Sequence, residues 1–211
     1  MLTLGAGTAS AQSTQLTTST AGAPMVPAVQ RTITSTSNMV TNALGTMFGR
    51  SSDPQQAELA RIAREGRWLS SAGWPLYALV DRYSVGLPLD EQGTCLATAV
   101  YFEARGESLE GQLAVADVVL NRTASEQYPD TWCDVVKQPW QFSFVRNGQF
   151  PQITDAAAWA RAQGVARIAM ANVVRQLPED VLWYHADYVS PSWGHRLNYV
   201  EKIGVHMFFR A

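Results

Sequence analysis

The chain has 211 residues, of which 46% are hydrophobic and 16% are charged, and its formal net charge is −2. The length suits a single domain of ordinary size, and the composition excludes collagen-like and wholly disordered proteins. The near-neutral charge balance does not favour binding to nucleic acid or to an anionic membrane surface. No run of about 18 apolar residues occurs, so no transmembrane helix is predicted.

The first 52 residues predict a segment without a packed core. Ala9-Ser10-Ala11, just before Gln12, fits the small-residue cleavage pattern of a secretory signal, and the charged and most of the apolar regions of such a signal are missing. An ordinary Ala/Ser/Thr-rich tail is the alternative. Residues 12–52 carry almost no charge and few large apolar side chains, which is typical of disorder. We therefore expect residues 1–52 to be a truncated signal-like segment followed by a disordered tail.

The remaining chain divides into a helical linker region, residues 53–89, and a domain over residues 90–211. Gly73-Trp74-Pro75 interrupts the linker region. The spacing predicts a helix over residues 90–104, with Glu103 on its apolar face. Gly106 is expected to end this helix in the left-handed conformation.

A second helix of the domain is predicted from the N-cap Ser108 to about Arg122, with apolar residues nearly all round. A third is predicted over residues 155–176, capped by Thr154 and ending before Pro178. Between these two helices, the aromatic-rich residues 123–153 predict loops with short strands. Two further strands are predicted at residues 181–186 and 206–210. The expected fold class is α+β, mainly α, with a small β element.

Cys95 and Cys133 are the only cysteines. An even number in an exported protein permits one disulfide, and two buried free thiols are the alternative. A metal site is not expected, because there is no C-x-x-C pair and no H-E-x-x-H motif among the three histidines. No cofactor is predicted.

Glu103 is the candidate catalytic residue. A carboxylate on an apolar helix face is partly desolvated, and this raises its pKa. A carboxylic acid that stays protonated near neutral pH can protonate a leaving-group oxygen, which is the requirement for cleaving a glycosidic bond. The alternative is a structural Glu103 paired with Arg105 or Arg122. Glu107 is a second carboxylate, which either orients Glu103 or caps the next helix.

A longer pattern then gives a family resemblance. Residues 99–122, AVYFEARGESLEGQLAVADVVLNR, resemble the core motif of the cell wall hydrolases of the SleB, or spore cortex-lytic enzyme, family. Three later segments resemble the family in the same order. They are KQPWQFSFV at residues 137–145, WYHADYVSPSW at 183–193 and IGVHMF at 203–208.

The resemblance implies a lysozyme-like catalytic domain that cleaves the MurNAc–GlcNAc backbone of peptidoglycan. It implies Glu103, the first glutamate of E-A-R-G-E, as the catalytic acid, with Glu107 and Arg105 in support. A lytic transglycosylase mechanism is expected, in which the sugar's own 6-hydroxyl attacks. The expected partners are peptidoglycan glycan strands, and the expected location is outside the cytoplasm, in the periplasm or cell envelope.

Substrate contacts are expected from side chains that can stack on a sugar ring or hydrogen-bond to it. These candidates are Gln141, Phe142, Ser143, Tyr184, His185 and Trp193. Two other functions are kept as alternatives: an N-acetylmuramoyl-L-alanine amidase, and a peptidoglycan-binding module without catalysis. Phe102, where spore enzymes commonly carry Gly, favours a vegetative enzyme of the cell envelope over a germination enzyme.

Overall fold

The structure is a computed structural model that describes residues 53–211, and the expectations for residues 1–52 lie outside this range. Within the described part, six α-helices precede a small antiparallel sheet, which confirms the expected mainly-α fold class. The helices are α1 (Pro54–Ser71), α2 (Leu76–Tyr83), α3 (Glu91–Ala104), α4 (Leu109–Ala124), α5 (Trp132–Lys137) and α6 (Ala156–Met170). The strands are β1 (Trp183–Ala186), β2 (Asn198–Ile203) and β3 (His206–Arg210).

The first two helices pack onto α6. Helix α1 begins at Asp53, whose carboxylate accepts a hydrogen bond from the backbone N–H of Gln55. Helix α2 approaches α6 closely at Gly164, where an added Cβ would lie 2.5 Å from the carbonyl oxygen of Val80. Ile62 and Leu79 are buried in the main core. The expected linker region thus contains two helices whose apolar faces are part of the domain core.

Arg167 fixes the connection between α2 and α3. Its buried guanidinium donates hydrogen bonds to the carbonyl oxygens of Tyr83 and Leu87, at 3.0 and 2.7 Å. Buried carbonyl groups without partners are costly, and this arginine on α6 supplies the missing donors. The side chain therefore holds the chain in place just before α3 begins.

The turn between α3 and α4 forms differently from the expectation. Ser108 caps α4 by accepting a hydrogen bond from the N–H of Gly111, as expected. Gly106, however, does not have a positive φ. Arg105 makes the turn instead, with φ −64° and ψ 63°, and the N–H of Gly106 bonds to the carbonyl of Ala104 at 2.9 Å. This is an inverse γ-turn, which needs no left-handed residue.

Helix α4 is the centre of the core, as its apolar pattern predicted. Eleven of its residues are buried, from Gly111 to Arg122. Cys95 of α3 and Cys133 of α5 form a disulfide, which is one of the two alternatives that the sequence left open. In the described residues, no helix is long and apolar enough to cross a membrane.

Two sequence predictions about the later helices are wrong. Residues 132–137 form α5 within a stretch that was expected to contain loops and strands; Thr131 caps this helix through the N–H of Asp134. Helix α6 is capped by Asp155 rather than Thr154, and it ends at Met170 rather than near residue 176. Asn172, with φ 48°, ends it in the left-handed conformation, and the next N–H bonds back to the carbonyl of Ile168 at 3.1 Å.

The sheet has the strand order β1-β3-β2, and both strand pairs are antiparallel. The expected strands near residues 181–186 and 206–210 are present as β1 and β3, whereas β2 was not predicted. Tyr184 lies opposite Phe208 in the register. Phe208 is fully buried in a second apolar cluster with Val118 of α4, so this face of the sheet packs on the helices.

Asp117 is a buried carboxylate at the centre of α4. Its Oδ2 accepts hydrogen bonds from the backbone N–H groups of Gln176 and Leu177, at 2.7 and 3.2 Å. Its Oδ1 has no hydrogen-bond partner in the described structure, and the Arg175 guanidinium lies 4.0 Å away. Burial raises the pKa of Asp117 to about 6. This residue ties the chain after α6 to the central helix.

The raised pKa of Asp117 predicts a pH dependence of stability. The folded protein binds this proton more tightly than the unfolded chain does, so the free energy of unfolding falls as pH rises from about 4 to about 6. The contribution is about 2–3 kcal/mol. Asp117→Asn should remove this contribution, and the difference in stability between variant and wild type should grow in favour of the variant over that range. Urea denaturation at several pH values measures it, and a difference that is constant with pH would contradict the assignment.

Candidate active site

Glu103 lies in the last turn of α3, where the helix meets the turn to α4. Its side chain is partly buried, and it faces strand β1 rather than open solvent. The hydroxyl of Tyr184 donates a hydrogen bond to Glu103 Oε2 at 3.4 Å. Among residues 53–211, no arginine forms an ion pair with Glu103 within 4.0 Å. The structure therefore contradicts the alternative in which Glu103 forms an ion pair with Arg105 or Arg122.

Two opposing effects set the protonation of Glu103. Burial raises its pKa, and this effect exceeds the opposite effects of the Tyr184 hydrogen bond and of the charge on Arg122. Burial also raises the pKa of Tyr184 well above its usual value, so its hydroxyl stays protonated and able to donate. The site thus favours a neutral carboxylic acid at Glu103 more than water does.

Arg122 lies in the last turn of the central helix, α4. Its Nε donates to the carbonyl of Leu182 at 2.9 Å, and its guanidinium lies over the rings of Tyr128 and Phe142, at 5.0 and 5.9 Å from the centroids. Its buried Nη1 has no partner in the described structure. From the sequence, Arg122 was expected only as an alternative ion-pair partner of Glu103. Its charge instead acts on the carboxyl group from a longer distance.

Glu107 attaches the sheet to the turn that follows α3. Its Oε2 accepts a hydrogen bond from the N–H of Val205 at 3.0 Å, in the turn between β2 and β3. An added Cβ on the neighbouring Gly204, which has φ 61°, would overlap the same oxygen. The carbonyl of Glu107 accepts a bond from the buried Gln112 side chain at 3.0 Å. Glu107 therefore contacts the hairpin, and it does not cap α4.

Arg105 points away from Glu103. Its guanidinium donates to the hydroxyl of Tyr101 at 2.8 Å and lies 4.9 Å from the centre of that ring. The same hydroxyl accepts hydrogen bonds from the N–H groups of Thr154 and Asp155, at 3.3 and 3.0 Å. Arg105 is thus connected, through Tyr101, to the N-terminus of α6.

The side chains that were expected to contact the substrate lie in three different environments. Tyr184 contacts the candidate acid, as described. Phe142 is 3% exposed and packs in the core, so its faces are not open to a sugar ring, whereas its neighbours Gln141 and Ser143 are exposed. His185 and Trp193 lie on the outer face of the sheet, where both pack against Phe209.

The loop before α6 contacts α3 through aromatic rings. Phe144 stacks on Phe102, the residue before Glu103, with centroids 4.9 Å apart. The sequence showed that this segment is rich in aromatic residues, and it did not predict that they pack on the helix. In residues 53–211, no cluster of three His, Cys, Asp or Glu side chains is arranged to hold a metal ion.

The fold and the site together define a mainly helical protein with one partly buried carboxylic acid between a helix end and a small sheet. Residues 106–209 match the family model described as Cell Wall Hydrolase. The spore cortex-lytic enzymes of Oceanobacillus iheyensis and Bacillus subtilis are each 34% identical to this chain over 116 residues. The aligned region covers 54% of this chain and 39% and 35% of those two proteins, respectively.

Among solved structures, the catalytic domain of the germination-specific lytic transglycosylase SleB from Bacillus anthracis is 30% identical, with a TM-score of 0.49. This chain covers all of that domain, and the match spans 60% of this chain. The chain belongs to the cell wall hydrolase family of the SleB type. It spans less than two fifths of the length of the two curated relatives given above. The match to the family model begins three residues after Glu103.

The close approach of Gly204 to Glu107 predicts that replacing Gly204 by alanine destabilises the protein more than the same change at another glycine with positive φ. Gly73→Ala, at another position with positive φ but with open space around it, should cost about 1–2 kcal/mol of stability from backbone strain alone. Gly204→Ala should cost about 3 kcal/mol or more, because it adds the loss of the Glu107–Val205 hydrogen bond to the same strain. Urea denaturation of both variants measures the difference. Equal losses would show that the contact with Glu107 contributes nothing.

Proposed function

We propose that this protein cleaves the MurNAc–GlcNAc backbone of peptidoglycan as a lytic transglycosylase, with Glu103 as its acid and base. The observation that carries the proposal is the partly buried Glu103 carboxyl group, whose pKa is raised by burial and which accepts a hydrogen bond from Tyr184. Membership of the cell wall hydrolase family supports the substrate class.

The reaction uses one carboxyl group twice. Glu103 in its neutral form donates its proton to the glycosidic oxygen between MurNAc C1 and GlcNAc, and the C1–O bond breaks. The resulting carboxylate then accepts the proton of the MurNAc 6-hydroxyl, whose oxygen bonds to C1. The product is a 1,6-anhydro sugar, no water is consumed, and Glu103 regains its proton.

The surroundings of Glu103 favour this route over one that uses two carboxylates. In glycosidases with a carboxylate pair, the second group attacks C1 or activates water. Here the nearest acidic residue along the chain, Glu107, is held by the N–H of Val205. Among the described residues, the groups that set the pKa of Glu103 are Tyr184 and Arg122, and neither is a carboxylate. The substrate's own hydroxyl then serves as the nucleophile.

The proposed site of action is outside the cytoplasm, in the cell envelope or the periplasm, because that is where a cell wall substrate is found. The Cys95–Cys133 disulfide supports this location, since disulfides persist in oxidising compartments.

The central test is product analysis with a matched pair of variants. Purified peptidoglycan is digested with wild type, Glu103→Gln and Glu110→Gln, and the muropeptides are identified by mass spectrometry. Wild type and the Glu110→Gln control, which changes an exposed residue in the first turn of α4, should release 1,6-anhydro muropeptides. Glu103→Gln should lower the rate by a factor of about 100 or more, because glutamine cannot supply the proton.

Each other outcome rejects a definite part of the proposal. Lysis by Glu103→Gln at the wild-type rate would contradict the role of Glu103. Products with reducing ends would indicate hydrolysis by water rather than transglycosylation. Free stem peptides with intact glycan strands would indicate an amidase.

The hydrogen bond from Tyr184 predicts a change in the pH profile. It lowers the pKa of Glu103, so Tyr184→Phe should raise that pKa further. Because the reaction needs the protonated acid, the alkaline limb of kcat/KM should move to higher pH in this variant. The matched control is Tyr188→Phe, at an exposed tyrosine of the loop after β1. A Tyr184→Phe profile that coincides with wild type would contradict the contact.

A further inference from the structure

A cavity lies at the end of α5 and in the loop between α5 and α6. It has a volume of about 530 Å³. Two basic side chains, Lys137 and Arg146, and the indole of Trp140 contribute to its lining, and no Asp or Glu does. We refer to it as the loop cavity.

Trp140 is held in an unfavourable backbone conformation that exposes its side chain. It has φ 68°, in the left-handed region that side chains with a Cβ rarely adopt. Pro139 and Trp140 occupy the middle of a turn that the N–H of Gln141 closes onto the carbonyl of Gln138 at 3.2 Å. Glycine is usual at the second of these positions when φ is positive. The indole is nevertheless fully exposed, so no packing in the described structure explains a tryptophan there.

The two cations of the loop cavity lack acidic partners. Within residues 53–211, neither Lys137 nor Arg146 forms an ion pair. The ammonium of Lys137 lies 5.5 Å from the centre of the Phe150 ring. The backbone of Arg146 pairs with Gln149 at 3.1 and 2.9 Å, so a tight turn holds the arginine while its guanidinium stays unpaired. Two uncompensated cations in one cavity favour an anionic ligand.

Aromatic contacts attach the loop that forms the cavity to the helices that carry Glu103 and Arg122. Phe142, two residues after Trp140, is buried against the guanidinium of Arg122, whose charge acts on Glu103. Phe144 stacks on Phe102. The loop that carries Trp140 and Arg146 is therefore attached to the catalytic helix on one side and to the central helix on the other.

From these observations we infer that the loop cavity binds a muramyl unit of the glycan strand next to the cleaved bond. Trp140 stacks on the sugar ring, and Lys137 and Arg146 bind the carboxylates of its stem peptide. The inference rests on the proposed function, because peptidoglycan is its substrate. It adds a preference for strands that still carry their peptides.

The test measures binding in the Glu103→Gln background, so that strands are not consumed. Three soluble glycans are compared: strands with stem peptides, the same strands after amidase treatment, and N-acetylglucosamine oligomers. The amidase leaves a free lactyl carboxylate on each muramyl unit, and the oligomers have no carboxylate. Lys137→Gln combined with Arg146→Gln should weaken binding of the peptide-bearing strands about tenfold and leave oligomer binding unchanged. Trp140→Ala should weaken binding of all three about fivefold.

Matched controls use the same residue types on α1. Arg61→Gln and the exposed Trp68→Ala should leave all three affinities unchanged. Circular dichroism establishes that each variant is folded. Raising the salt concentration should weaken only the carboxylate-bearing strands.

Three results would overturn the inference. Wild-type affinity in the double lysine and arginine variant would remove the carboxylate contact, and wild-type affinity in Trp140→Ala would remove the stacking contact. If the double variant binds the peptide-bearing and the amidase-treated strands equally weakly, the cations bind the lactyl carboxylate instead of the carboxylates of the stem peptide. None of these results affects the role of Glu103, which is tested by lysis in the wild-type background.

Discussion

The contact between Glu107 and the turn at Gly204 and Val205 is the constraint on which the site depends. The acid comes from helix α3, and the hydroxyl that contacts it comes from strand β1. These elements are about 80 residues apart in sequence, and β1 pairs with β3 of the hairpin. The Glu107 carboxylate binds the hairpin turn directly to the residues that follow α3. This contact holds the end of α3 and the sheet in one arrangement. The hydroxyl of Tyr184 can therefore reach Glu103.

The sequence was sufficient for the elements whose local signals agree. The capping residue Ser108, the apolar pattern of α4 and the aromatic strand at Tyr184 each pointed to the structure that is observed. The position of Glu103 on the apolar face of its helix also predicted a partly buried acid with a raised pKa. Local spacing determines these features, so they can be recognised without knowing what packs against them.

Other features depend on which of several available contacts or backbone conformations forms, and the sequence did not reveal them. Helix α6 ends at Met170 because Asn172 adopts a left-handed conformation, and nothing in the local pattern required the ending there rather than at Pro178. Phe142 was expected on the substrate side, yet it fills the core against Arg122. Arg105 was expected to support Glu103, and it bonds to Tyr101 instead. The partner of Phe142 lies on another element, and the Arg105–Tyr101 contact, between residues four apart at the end of α3, is one of several that the spacing allows.

The disulfide between Cys95 and Cys133 has a consequence for when the two halves of the site are joined. One cysteine lies on the helix that carries Glu103, and the other lies on α5, directly before the loop with Trp140. A newly made chain in a reducing cytoplasm holds these parts together by packing alone. Once the thiols are oxidised, residues 95–133, with Glu103 among them, form a closed covalent ring, and the loop with Trp140 follows directly after it. A chain acting outside the cytoplasm would thus acquire this extra rigidity only on reaching the compartment that contains the polymer.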